Sequence, residues 1–154
     1  MEFRRVLPHE VQPALDLALS VFLKFEAEEY DPEATDNFKR DIVHNSTAIE
    51  NWVSGKNLMF VALDGGKIVG VIGEKRSDGH INLLFVDGNY HRRGIATALT
   101  NLMTAALSAN GFSEITLFSS PHGLPFYKHY GFVPTGATRK EDGFIFTPMR
   151  YILN

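Results

Sequence analysis

Two apolar runs, Leu58 to Leu63 and Lys67 to Lys75, are separated by Asp64-Gly65-Gly66. Asp-Gly and Gly-Gly pairs supply the positive φ angles of a tight antiparallel reversal, so this stretch predicts a β-hairpin. It commits the middle of the chain to a sheet. Ser77-Asp78-Gly79 turns again into a third run, His80 to Val86. After a loop from Asp87 to Arg93, Ala98, Leu99, Leu102, Met103, Ala106 and Leu107 recur at helical spacing, and Asn110-Gly111 closes that helix. Ile115 to Phe118 reads as the next strand. Upstream, Phe3 to Leu7 reads as a strand ended by Pro8, followed by an amphipathic helix from about residue 9 to residue 28. Phe38 and Ile42 suggest another helical turn or two. Thr47-Ala48-Ile49-Glu50 has capping-box spacing for a short helix that Gly55 stops. Downstream, Pro121 to Tyr130 reads as a short helix ended by Gly131, with strands at Phe132-Val133 and Phe144 to Ile152. This order predicts a mixed α+β fold, a sheet flanked by helices. Without repeats or linker-like tracts, one domain over residues 1–154 is expected.

Composition removes several chemistries. The chain has no cysteine, which excludes disulfides, thiolate nucleophiles and cysteine metal sites. A formal charge of −3 gives no general reason to bind nucleic acid or an anionic membrane. No apolar stretch has signal-peptide or membrane-spanning length, so a cytoplasmic protein is expected. Asn45-Ser46-Thr47 matches a glycosylation sequon, which is idle without secretion. The six histidines show no His-Glu-x-x-His type of spacing, so no metal site is expected.

The loop Tyr90-His91-Arg92-Arg93-Gly94-Ile95-Ala96-Thr97 joins a buried strand to the long helix. The first N–H groups of a helix lack intrahelical partners and lie at the positive end of its dipole. Gly94 and Ala96 leave little side chain in the way of a phosphate. The loop is neither Gly-x-x-x-x-Gly-Lys-Ser/Thr nor Gly-x-Gly-x-x-Gly, which argues against a P-loop ATPase and a dinucleotide site. It resembles motif A of the GNAT N-acetyltransferase superfamily, Gln/Arg-x-x-Gly-x-Gly/Ala, with His91 where Gln or Arg is usual. Ser120-Pro121-His122-Gly123-Leu124-Pro125-Phe126-Tyr127-Lys128-His129-Tyr130-Gly131-Phe132 is similar to the later family signature, Asn-x-x-Ala-x-x-Phe-Tyr-x-x-x-Gly-Phe. Phe126, Tyr127, Gly131 and Phe132 match it, whereas Ser120 and Gly123 replace Asn and Ala.

The resemblance implies an acyl-CoA N-acyltransferase fold with a central, mostly antiparallel sheet, and acetyl-CoA as acyl-donor cosubstrate. It places the pyrophosphate on the amides of Arg92, Arg93, Gly94, Ile95, Ala96 and Thr97, next to His91. It runs the cofactor arm beside Leu84, Phe85 and Val86, near Ser120 and Phe126. It makes Tyr127 the acid for the departing thiolate, although a packed core aromatic is the competing reading. The amine acceptor is unknown, and its deprotonation needs a base or a water chain. The usual carboxylate position holds Asn82, which leaves His80, Glu26, Glu29 and Glu74 as candidates. The acidic run Glu26, Glu28, Glu29, Asp31, Glu33 and Asp36, interleaved with Phe25 and Tyr30, would suit a cationic amine. A non-catalytic acyl-CoA sensor is the alternative function. A homodimer is one open oligomeric state.

Overall fold

The hairpin of the central region is present in the computed structural model, which describes residues 1–154. Strands β2 (Met59–Asp64) and β3 (Lys67–Glu74) pair antiparallel with Asp64 opposite Lys67. Gly65 and Gly66 take φ of 57° and 84°, the pair of left-handed residues whose twist matches that of the flanking strands. Strand β1 (Glu2–Arg5) pairs with β2 and stops two residues earlier than expected, because Pro8 opens a short 3₁₀ turn, Pro8–Glu10. Strand β4 (His80–Val86) completes an antiparallel series with β3. It continues through helix α4 (Ile95–Ala109) into β5 (Glu114–Ser119), which lies parallel to β4. Strand β8 (Phe144–Ile152) then pairs antiparallel with β5 and carries β6 (Val133–Pro134) and β7 (Arg139–Glu141). The sheet order is β1-β2-β3-β4-β5-β8-β6, mixed and mostly antiparallel. No helix is long and apolar enough to cross a membrane.

Helices cover both faces of the sheet. On one, α1 (Val11–Phe25) and α3 (Ser46–Val53) bury Leu15, Ala18, Phe22 and Trp52 against Val71 and Leu83. On the other, α4 buries Leu99, Met103 and Leu107 against Ile72 and Ile115. Helix α1 ends at Phe25, short of residue 28, because Glu26 leaves helical geometry at φ −122° and a 3₁₀ turn follows at Ala27–Glu29. Helix α2 (Glu33–Phe38) runs directly into a π-helical turn, Lys39–Val43. The cap of α3 differs from the expected capping box. Asn45 Oδ1 accepts the Ala48 N–H at 3.0 Å, so the sequon asparagine does the capping in place of Thr47. Helix α5 (Leu124–Tyr130) starts later than Pro121. Strand β7 was not expected: Arg-Lys-Glu carries no apolar alternation, and all three residues are exposed.

Strands β4 and β5 pair only at His80 with Thr116 and at Ile81 with Leu117. Beyond those pairs the two strands part.

Candidate active site

The cleft beside the parted strands holds a groove of about 330 Å³, lined by Leu84, Phe85 and Val86 on one side and by the start of α4 on the other. The first bond of α4 runs from the Ala98 N–H to the Gly94 carbonyl at 3.0 Å. The N–H groups of Arg92 through Thr97 donate to no acceptor in the chain. Gly94 has φ 76°, and a Cβ placed there would meet no protein atom within 4 Å. Small residues, free amides and a helix dipole therefore face open space, the arrangement a phosphate requires.

The side chains named from the sequence divide around this groove. Arg92, Gly94, Ile95, Ala96 and Thr97 line it. Arg92 itself takes φ 65°, a left-handed residue two positions before Gly94. Arg93 does not line it, because its guanidinium lies over the Tyr90 ring at 4.9 Å. His91 lines the groove with its ring nitrogen Nε2 2.8 Å from the Val86 carbonyl, which ties the loop to the end of β4. Ser120 Oγ accepts the Gly123 N–H at 2.9 Å and so shapes the turn into α5. Phe126 lines the groove and packs against the ring of Tyr127.

A second cavity, of about 480 Å³, lies against the α1–α2 side of the sheet. Glu26, Leu84, Phe85, Ser120 and Tyr127 line both spaces. This junction brings together two of the catalytic candidates, Glu26 and Tyr127. Burial pushes the Glu26 carboxyl up to about 7, with the Glu29 charge adding to the rise and the Ser120 and Tyr30 hydroxyls partly offsetting it. Burial also raises Tyr127, followed by the negative charge of Glu26, so the phenol stays protonated. The ring of Tyr127 packs edge-on against Phe132, which supports the aromatic-core reading while the side chain still faces both cavities.

His80 lines only the second cavity. Its Nδ1 meets Thr116 Oγ1 at 2.8 Å, and burial lowers its pKa. Four residues of strand separate it from Leu84, roughly 13 Å. Glu74 is removed from the list of bases. It is 2% exposed, and its two oxygens accept the N–H groups of Leu58 (3.1 Å) and Gly79 (2.9 Å), clamping the ends of β2 and β4. The acidic run does not assemble as expected. Glu29 accepts the His122 N–H, Asp31 pairs with Lys140 at 2.7 Å, and of the run only Glu26 lines the second cavity. Phe25 packs on His91 and His122 instead.

Two groups in the second cavity, named in the sequence only as an aromatic of the acidic run and as a replaced carboxylate, take more definite places here. Tyr30 lines it beside Glu26, and its position follows from the 3₁₀ turn that no periodicity marks. Asn82 lines it with a buried Oδ1 that has no hydrogen-bond partner. Its place on an alternating strand, in phase with His80 and Leu84, was the available signal.

Comparison with known proteins agrees with this geometry. Residues 26–153 match the family described as Acetyltransferase (GNAT) domain. The Escherichia coli protein YafP, an uncharacterized N-acetyltransferase, is 35% identical over 86 residues, 56% of this chain and 53% of that protein. The chain thus spans about half the length of this curated relative. Among solved structures, a GCN5-related N-acetyltransferase from Rhodopseudomonas palustris superposes with a TM-score of 0.82 at 20% identity, over 99% of this chain and 95% of the other. The PaiA N-acetyltransferase of Thermoplasma acidophilum, solved with coenzyme A, gives 0.78 at 19% identity, over 98% of each chain. The parted strands, the open helix start and the match over most of its length agree: this chain belongs to the GNAT acetyltransferase family.

Proposed function

We propose that this chain is an acetyl-CoA-dependent N-acetyltransferase that passes an acetyl group directly to a primary amine. The observation that carries the reading is the meeting of two cavities at Glu26, Ser120 and Tyr127, one of them lined by Arg92 and by Gly94 to Thr97, whose amides are free. The groove suits coenzyme A because those amides and the space over Gly94 can take its pyrophosphate. Acetyl-CoA supplies a thioester, whose carbonyl is attacked and whose sulfur leaves as a thiolate.

The chain supplies the proton chemistry. Glu26, with a pKa of about 7, removes a proton from the attacking amine as the new C–N bond forms. Tyr127 donates its phenolic proton to the sulfur as the C–S bond breaks. Glu26 is favoured over His80 because it lines both cavities, whereas His80 sits about 13 Å along β4 from Leu84. The test is calorimetry with acetyl-CoA, followed by coenzyme A release over a panel of primary amines. Binding with turnover supports the transferase. Binding without turnover on any amine would favour an acyl-CoA sensor, and absence of binding would remove both.

A further inference from the structure

The second cavity carries charges that the transfer chemistry does not use. Lys75 and Arg76, at the turn between β3 and β4, line its wall. Neither takes part in the chain's five ion pairs, which use Arg4, Arg40, Arg139 and Lys140 as cations. The backbone of Lys75 is held at both ends: its N–H reaches the His80 carbonyl at 2.7 Å, and its carbonyl accepts from Asn57 at 3.2 Å. Burial lowers the pKa of His80 first, then Lys75 and, more weakly, Arg76, with Asp78 opposing them; the imidazole Nε2 is free of the Thr116 contact.

The acidic side chains of the same cavity are Glu26, Asp41, Glu141 and Asp142. Asp41 also feels Lys75, but both its oxygens are already taken by Arg40, at 2.9 and 3.1 Å. Glu141 lies 3.8 Å from Arg139. Glu26 is only partly ionised near neutral pH. Asp142 makes no ion pair of its own, and its charge is felt at Arg40. At the Lys75 end the side chains that line the cavity are cationic, and Asp78 of the same turn, turned to the His80 N–H, is not among them.

Nearer the junction, the buried Oδ1 of Asn82 lacks a donor. An orphaned buried acceptor is costly, and an incoming amine N–H relieves it. Asn82 and His80 are two residues apart on β4 and lie on one face, about 6.6 Å from each other. We propose that the acceptor is a primary amine that also carries an anionic group, a carboxylate or a phosphate. Its amine is placed by Asn82, and its anion is seated by Lys75 and Arg76. The separation implied is roughly 7–10 Å, the span of a six-carbon ω-amino acid rather than of a simple alkylamine. This rests on the transferase reading and replaces the cationic preference that the acidic run had suggested.

The experiment uses matched ligands: 6-aminohexanoate, its neutral amide, and an aminoalkyl phosphate of equal length. Each is measured by calorimetric binding to the coenzyme A-loaded protein and by coenzyme A release from acetyl-CoA. The expected result is about a tenfold advantage in Kd and KM for an anionic ligand over the amide, the scale of one charge-assisted hydrogen bond. That ratio should collapse toward one in the Lys75→Gln/Arg76→Gln double variant and survive in Lys75→Arg/Arg76→Lys. The better of the two anionic ligands identifies carboxylate or phosphate. Equal affinity for anion and amide, no binding of any of the three, or a ratio that persists in the Gln variant overturns the proposal. Neutral amines turned over without preference would leave the transferase standing. Anion-selective binding without turnover would leave the seat standing and remove the transferase.

Discussion

At the residue scale, Glu26 decides the pH behaviour. As the proposed base it must be ionised, so the wild-type rate should climb with pH and level off above about 7. Glu26→Gln should lose that limb and lower kcat by about 10²–10⁴-fold, read by coenzyme A release across pH 5–9. The same burial costs stability. In the unfolded chain the carboxyl titrates at its ordinary 4.5; folded, it holds its proton until about 7. Between these values the folded state binds the extra proton, so stability falls as pH rises and the penalty is complete above 7. Glu26→Gln should therefore be more stable than wild type at pH 8, by about 1–3 kcal/mol, with the gain vanishing toward pH 4. A denaturant titration at both pH values measures it. Tyr127→Phe keeps the packing on Phe126 and Phe132 and removes only the hydroxyl. It should lower single-turnover transfer by about 10²-fold while leaving coenzyme A affinity nearly unchanged.

At the element scale, the start of α4 and the clamp at Glu74 separate function from stability. Gly94→Val puts a branched side chain at φ 76°, which costs about 1–2 kcal/mol, and fills the space over the free amides. Coenzyme A affinity should fall far more than the melting temperature, with calorimetry and thermal unfolding run on the same sample. Glu74→Ala should do the reverse. It orphans the buried N–H groups of Leu58 and Gly79 and should cost roughly 2–5 kcal/mol, seen as a lowered melting temperature. Elements with strong local signals were legible in the sequence. Asp64-Gly65-Gly66 specified its own turn, and the stripe from Leu99 to Leu107 specified α4. Elements defined by tertiary context were not. Strand β7 exists only because β8 is there to pair with it, and the turn that aims Tyr30 follows from the chain leaving helical geometry at Glu26. The open start of α4 was legible because its free amides and small residues depend on consecutive positions. The second cavity was not, because α1, α2, β4 and the β3–β4 turn contribute to it from distant parts of the chain. That is why the acidic run misled: adjacency along the chain scattered Glu29 and Asp31 to other partners.

At the scale of the whole molecule, ligand linkage should be visible in unfolding. Coenzyme A at about 100 times its Kd should stabilise the fold by about 2.7 kcal/mol, whereas ATP and NAD should leave it unmoved. The two spaces that meet at Glu26 and Tyr127 are otherwise lined by different residues. Donor and acceptor can therefore be resident together, and a chain without cysteine offers no thiol to store the acetyl group between visits. In steady-state terms, double-reciprocal plots at several fixed acetyl-CoA concentrations should intersect to the left of the axis instead of running parallel. Coenzyme A should compete with acetyl-CoA and not with the amine.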